Sequence, residues 1–177
     1  MESEESEGTE DGETAYVAVA PRRSTDEYDP VAMGVAVVAV LYDDTVYYFR
    51  RDDLARLFDL LASVDSVVGV NDYVVDALEP HGDFPRSAFV GVQKRISDAL
   101  GERVSLNNAA RATLGVERDD PRRLPLEWQE GREKTVKRAL RKDLMILRDL
   151  DEAMRAGKVW VTDPRTMEER VVEPDYM

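Results

Sequence analysis

Cysteine is missing from this sequence of 177 residues. Its absence excludes disulfide bonds, cysteine-ligated zinc sites and thiol nucleophiles, and it fits a reducing compartment. Long apolar runs are also missing, since none approaches the roughly 20 residues of a membrane span. The first residues are acidic where those of a signal peptide would be basic. We therefore expect a soluble, cytoplasmic protein without a membrane partner.

Lysine is scarce, whereas negative charge is abundant. Only five of the 24 basic residues are lysine, and the formal net charge is -13. This composition is similar to that of proteins from salt-loving archaea, whose cytoplasm screens surface charge over short distances. An ordinary acidic protein is the alternative interpretation. The overall charge argues against a nucleic-acid binder, although a local basic face is compatible with it.

The chain is long enough for one good core and too short for two. Residues 1–14 combine acidic residues with Gly, Ser and Thr and lack apolar periodicity. This pattern predicts a disordered acidic tail. Residues 15–177 are predicted to form a single domain, and the sequence contains neither an internal repeat nor a glycine-rich phosphate-binding motif.

Hydrophobic periodicity predicts an α/β fold. Three successive strands are expected to form an antiparallel meander, and a fourth, which follows a crossover helix, should lie parallel to its neighbour. The predicted strands are residues 16–20, 33–42, 45–49 and 67–70, and the predicted helices are residues 52–62, 71–78, 87–100, 107–114 and 131–157. Asp52 or Asp53 is the expected cap of the first helix. Residues 158–162 and 170–173 are expected to pair as a C-terminal β-hairpin.

The helix predicted for residues 131–157 carries an acid on its apolar side. Val136, Leu140, Leu144 and Leu147 form one stripe that must face a core. Asp143 lies inside this stripe, where an unpaired carboxylate would cost several kcal/mol. It is therefore expected to be neutral, paired or part of a site. The opposite face is basic and carries Lys134, Lys137, Arg138 and Arg141.

The order of these elements and several motifs resemble the ribonuclease H-like fold, in particular the DEDD-type exonuclease domains often linked to helicases. The motifs are MGVAV at residues 33–37, VVGVN at 67–71 with Asp76 five residues on, LNNAARATL at 106–114, LPLEWQEG at 124–131 and KDLMILRDL at 142–150. The resemblance covers almost the whole predicted domain. It implies a five-stranded mixed sheet with helices on both faces, here followed by the C-terminal hairpin.

In the family that the chain resembles, four acids bind two divalent metal ions, which clamp the attacking water and the leaving oxygen. The resemblance assigns the third acid position to Asp76 and the fourth to Asp143. The first two positions lie on the first strand and hold Ala18 and Ala20, which cannot bind a metal. The chain therefore lacks two of the four ligands.

The resemblance also assigns the position of the general base, which falls on Ala139 or Arg138, so the base is missing as well. Asp26, Glu27 and Asp29 lie in the loop beyond the first strand and are the nearest acids that could substitute as ligands. Metal coordination has exacting geometry, which disfavours such a substitution.

The resemblance leads to two functional hypotheses. The first is a non-catalytic relative of the exonucleases that needs no cofactor and binds a nucleic acid or a protein. The alternative is a residual nuclease that uses Mg²⁺ or Mn²⁺ at Asp76 and Asp143. Lys134, Lys137, Arg138 and Arg141 are the candidate nucleic-acid-binding residues, and a solvated helix face is the other interpretation of them.

Asp76 and Asp143 have structural interpretations too. Asp143 could pair with an arginine, and Asp76 could be an ordinary acid near a helix start. If both instead descend from one metal site, they should approach each other, and their repulsion should raise the pKa of at least one carboxyl. Replacing either by Asn would then be neutral or stabilising.

The two alanines on the first strand lead to a test. We predict that the chain does not digest single-stranded DNA or RNA in magnesium or manganese, because half of the metal ligands are absent. Release of nucleotides from a labelled oligonucleotide measures this. Metal-dependent digestion that disappears in Asp143→Ala would contradict the prediction.

Overall fold

A computed structural model describes residues 12–174 of the chain. The strands are β1 Thr14–Ala20, β2 Val37–Tyr42, β3 Thr45–Arg50, β4 Ser66–Gly69, β5 Phe89–Gly91, β6 Val159–Thr162 and β7 Glu169–Val172. The helices are α1 Pro30–Met33, α2 Leu54–Ala62, α3 Tyr73–Leu78, α4 Val92–Leu100, α5 Leu106–Ala109, α6 Leu124–Gln129 and α7 Glu133–Arg155. Short 3₁₀ and π turns join several of them.

Five strands form one mixed sheet in the order β3-β2-β1-β4-β5. The strand pairs β1–β2 and β2–β3 are antiparallel, and β4 pairs parallel with β1 and with β5. Strands β6 and β7 form a separate antiparallel hairpin. The predicted meander, the parallel fourth strand and the C-terminal hairpin are confirmed.

Helices cover both faces of the sheet because β1 alternates between them. Val17 and Val19 belong to a core with the apolar residues of α2 and α3. Ala18 and Ala20 face the other way and share a core with Leu140 of α7. Alanines on this face leave room for α7 to lie close to the sheet.

The fifth strand was expected from the resemblance but was not located by periodicity. It lies at residues 89–91, inside the helix predicted for residues 87–100, which starts only at Val92. Residues 89–91 pair with β4 in parallel register, Val67 opposite Phe89 and Gly69 opposite Gly91. Pairing with a neighbouring strand therefore overrides the helical spacing of Phe89, Val92 and Ile96.

Two further predictions about local structure were wrong. The strand predicted for residues 33–42 begins at Val37, because Pro30–Met33 form a helical turn. The Asp29 side chain caps this turn by accepting a bond from the Ala32 N–H at 3.2 Å. Asp53 occupies the cap position of the helix Leu54–Ala62, but its side chain makes no capping bond.

Helix α7 is the longest helix of the described residues and confirms the central prediction from periodicity. It runs for 23 residues and buries Val136, Leu140, Leu144 and Leu147, together with Asp143. Within residues 12–174, no helix is both long and apolar enough to cross a membrane.

The start of the domain differs from the predicted boundary after residue 14. Thr14 is the first residue of β1, and the Glu13 carbonyl accepts bonds from the N–H groups of Asp65 at 2.8 Å and Ser66 at 3.1 Å. The Glu13 N–H donates to the Asp65 carboxylate at 2.8 Å. Glu13 and Thr14 therefore belong to the folded body. The rest of the predicted tail, residues 1–11, lies outside the described residues.

These bonds predict a difference between two truncations. A chain beginning at Ala15 should have a free energy of unfolding about 1–3 kcal/mol lower than a chain beginning at Gly12, because it lacks the bonds of Glu13. Denaturant unfolding of both chains measures this, with the full chain as reference. Equal stability of the two truncations would contradict a structural role for Glu13.

Candidate functional site

A cavity of about 400 Å³ lies at the carboxyl ends of β1 and β4, where α/β sheets commonly bind ligands. Its wall comes from the end of β1, from the start of α3, from the loop after β1 and from the segment before α6. The lining residues include Ala18, Val19, Pro21, Tyr28, Val70, Asn71, Tyr73, Val74, Arg118, Leu124, Pro125 and Asp143. This is the position that the resemblance predicts for a metal site.

Asp143 is held by an arginine in this cavity. The residue is 6% exposed, and its carboxylate accepts two bonds from the Arg118 guanidinium, from Nε and Nη2, both at 3.0 Å. Burial raises the pKa of the Asp143 carboxyl, and the Arg118 guanidinium lowers it in part. Asp143 is therefore a buried acid that pairs with an arginine, which is one of the structural interpretations offered by the sequence.

Arg118 was not identified from the sequence. It lies in an irregular segment with other charged residues, where no periodicity distinguishes it. The Asn107 side chain fixes its backbone by accepting a bond from the Arg118 N–H at 2.7 Å. Asn107 belongs to α5, which packs near the hairpin, so this contact depends on the tertiary structure.

Asp76 lies in the first turn of α3 and does not line the cavity that holds Asp143. Its carboxylate accepts a bond from the Tyr28 hydroxyl at 2.8 Å. Burial and this bond raise the pKa of Tyr28 above its usual range. Tyr28 lines both the Asp143 cavity and two shallower cavities that contain Asp76. Asp76 and Asp143 therefore line different cavities among the described residues, and each carboxylate is bound to a different side chain.

The residues at this position do not fit a two-metal centre. Ala18 and Ala20 offer no ligand, and both carboxylate oxygens of Asp143 are bound to Arg118. Asp26 and Glu27 line the cavity, while Asp29 caps α1. Within residues 12–174, no group of three or more His, Asp or Glu side chains is arranged to hold a metal ion.

The two positions assigned to the general base lie outside the cavity lining. Ala139 is buried in the core that α7 shares with β1, and Arg138 is exposed. Neither residue replaces the missing base. The residues of the cavity therefore provide ion pairing and binding surface, but no proton acceptor at the predicted base position.

The basic residues of α7 divide into two kinds. Lys134, Arg138 and Arg141 are exposed and, within the described part of the chain, take part in no ion pair. Lys137 is half-buried, lies 3.2 Å from Glu133 and has its amine 5.2 Å from the centroid of the Tyr48 ring. The exposed three remain candidates for binding an anionic partner, whereas Lys137 has structural contacts.

The Arg118–Asp143 pair leads to a different prediction for Asp143→Asn from the neutral or stabilising effect expected of two repelling acids. Both Asp143→Asn and Arg118→Met should lower the free energy of unfolding by about 2–4 kcal/mol, because each leaves a buried charged partner without its counter-charge. Denaturant unfolding of the single and double variants measures the coupling between the two residues.

A second arginine of the same segment provides the control. Arg122 forms an exposed pair with Asp120 at 3.1 Å, so Arg122→Met should change stability little. Asp143→Asn as stable as the parent would contradict the structural role of the pair.

Comparison with protein-family models and with curated proteins gives no match. Among solved structures, the chain is similar to the family B DNA polymerase from the hyperthermophilic archaeon Pyrobaculum calidifontis, at 15% identity and a TM-score of 0.65. The similarity covers 81% of this chain and 24% of the polymerase chain. Together with the sheet order, it shows that the chain has a ribonuclease H-like α/β fold, with helices on both faces of a five-stranded mixed sheet and an added C-terminal hairpin.

Proposed function

We propose that this chain is a catalytically inactive relative of the exonucleases that its sequence resembles, and that it binds nucleic acid through the exposed basic face of α7. The observation that carries the first part is the bidentate pair between Arg118 and Asp143. The similarity to part of a DNA polymerase chain is consistent with a nucleic-acid-related role.

Arg118 supplies the cationic charge that a metal ion would otherwise supply to the carboxylate. A guanidinium matches a carboxylate through two parallel bonds, satisfies both oxygens and does not activate a water molecule. The first-strand positions that would complete a metal centre hold Ala18 and Ala20, whose side chains pack against α7. This arrangement supports retention of the fold without the hydrolytic chemistry.

The exposed cations of α7 support the binding part of the proposal. Lys134, Arg138 and Arg141 stand four and three residues apart, so they follow one face of the helix over about 10 Å. A chain with a net charge of -13 repels nucleic acid at long range. Binding therefore depends on this local face and should be strongly sensitive to salt.

A matched pair of double variants tests the nucleic-acid surface. Arg138→Gln with Arg141→Gln should weaken the binding of a fluorescent single-stranded oligonucleotide about tenfold or more, because two phosphate contacts are lost. Arg56→Gln with Lys158→Gln removes the same charge elsewhere on the exposed surface and should have a much smaller effect. Fluorescence anisotropy at several salt concentrations measures both.

The outcomes distinguish the partner classes. Equal losses in the two double variants would overturn the assignment to α7. Absence of binding by the parent would overturn the nucleic-acid proposal and leave a protein partner, as the sequence also suggested.

A metal titration tests the inactive part of the proposal separately. Manganese should not raise the melting temperature of the parent chain relative to chelator, because the cavity lacks a complete ligand set. A rise that disappears in Asp76→Asn, accompanied by digestion of the oligonucleotide, would establish the alternative nuclease at Asp76 and Asp143. Ala77→Ser, next to Asp76 in the same helix, serves as the control for nonspecific effects of substitution.

A further inference from the structure

The two edges of the sheet differ in how they are protected. Strand β5 has three residues and leads directly into α4, so it offers little backbone for further pairing. Strand β3 is the other edge and has six residues, TVYYFR, with no proline and no lysine. Within residues 12–174, its only strand neighbour is β2, and no backbone bond from another element reaches it. A long open edge of this kind readily pairs with another strand.

The turn before β3 determines which backbone groups point outward. Asp43 and Asp44 have φ angles of 52° and 63°, as in a two-residue type I′ hairpin turn. In such a turn the flanking residues, here Tyr42 and Thr45, form the first hydrogen-bonded pair. Alternation along the strand then directs the N–H and C=O groups of Val46 and Tyr48 away from β2.

The charges at the two ends of β3 are opposite. Asp43 and Asp44 precede the strand. At its other end lie Arg50, which also pairs with Glu133 of the same chain, and the exposed Arg51, which is followed by Asp52 and Asp53. We infer that two copies of this chain pair antiparallel through β3, about a two-fold axis at Tyr47. In this register Val46 of each copy lies opposite Tyr48 of the other, and the acidic end of each copy lies beside the arginines of the other.

Two independent constraints select this register. Only residues whose backbone groups point away from β2 can form hydrogen-bonded pairs with the second copy. The pairing of the two β3 strands can therefore shift by two residues but not by one. Among the permitted registers, the one centred on Tyr47 brings the acidic turn at Asp43 and Asp44 of each copy beside the end of β3 in the other, where Arg50 and Arg51 lie. Because the interface is two-fold symmetric, each of these contacts occurs twice.

The charge pattern favours a second copy as the occupant of this edge. Chains with a net charge of -13 repel each other, so close approach requires local complementarity. The ends of β3 are complementary to themselves only when the strand runs antiparallel to its own copy. The resulting assembly has one continuous ten-stranded sheet.

The absence of cysteine permits a direct test of the register. Tyr47 is 42% exposed and would face its own copy across the axis in a non-hydrogen-bonded pair. The Cα atoms of such a pair are about 4.5 Å apart, within the range of a disulfide. Tyr47→Cys should therefore form a disulfide-linked dimer on mild oxidation. Val46→Cys and Tyr48→Cys place the two thiols about 8 Å apart along the strand and should crosslink much less.

The oligomeric state provides the second test. The full chain should sediment as a dimer in molar salt, whereas Val46→Pro should be monomeric and remain folded, because proline removes an outward N–H and spares the bonds to β2. At the lowest salt concentration at which the parent chain is dimeric, where charges are screened least, Arg51→Glu should also weaken the dimer, while Arg56→Glu, the same charge change on α2, should not.

Several outcomes would overturn the inference. A monomeric parent chain with no crosslinking at position 47 would exclude the dimer. Preferential crosslinking at position 46 or 48 would exclude this register, and a dimer that survives both Val46→Pro and Arg51→Glu would place the interface elsewhere. If Val46→Pro does not fold, Arg51→Glu and the crosslinking series still decide the question.

Discussion

The packing of α7 across β1 and β2 is the constraint on which the rest of this structure depends. The sheet presents small side chains to the helix, namely Ala18 and Ala20 on β1 and Ala39 on β2, so the helix can lie close. Close packing buries Leu140 and Leu144 completely or almost completely. It also takes Asp143 out of water, since this residue lies between the apolar positions of the same stripe.

A buried carboxylate requires a counter-charge, and Arg118 supplies it from the segment between α5 and α6. Both oxygens of Asp143 are satisfied by two bonds of 3.0 Å. The alanines at the positions where the resemblance would place metal ligands thus form the surface on which α7 packs, and Arg118 neutralises Asp143. These features give one physical explanation for how the ribonuclease H-like fold accommodates Asp143 in its core. Asp76, half-exposed and bound to Tyr28, lies outside this arrangement.

The two proposed surfaces belong to different elements, although the start of α7 contacts β3 through the pairs Glu133–Arg50 and Lys137–Tyr48. The exposed cations of α7 lie on the face of the helix away from the sheet, whereas β3 contributes an edge of the sheet itself. Nucleic acid would contact side chains, and its affinity would depend on salt. A second copy would contact mainly backbone groups, with the charges at the strand ends selecting the register. The two proposed interactions therefore depend on different chemical groups of the chain.

The sequence by itself determined the features that depend on local periodicity. The stripe from Val136 to Leu147 indicated α7 and its inward acid. Short apolar runs indicated β1 to β4, and turn residues indicated the terminal hairpin. These patterns show which side of a helix or strand is apolar, and this can be read from the sequence without knowing which element packs against it. The resemblance to the exonucleases added the sheet architecture and directed attention to Asp76 and Asp143.

Only the tertiary structure decided the features that depend on which elements meet. Strand β5 exists because β4 provides a parallel neighbour, although its own sequence has helical spacing. Arg118 becomes the partner of Asp143 because Asn107 fixes its backbone from another element. Asp76 and Asp143 line different cavities, and the carboxylate of Asp76 is bound to Tyr28. Such contacts join residues that are distant in the sequence. Periodicity and motif spacing do not give the distances between elements, so they cannot show which of several chemically equivalent residues becomes the partner.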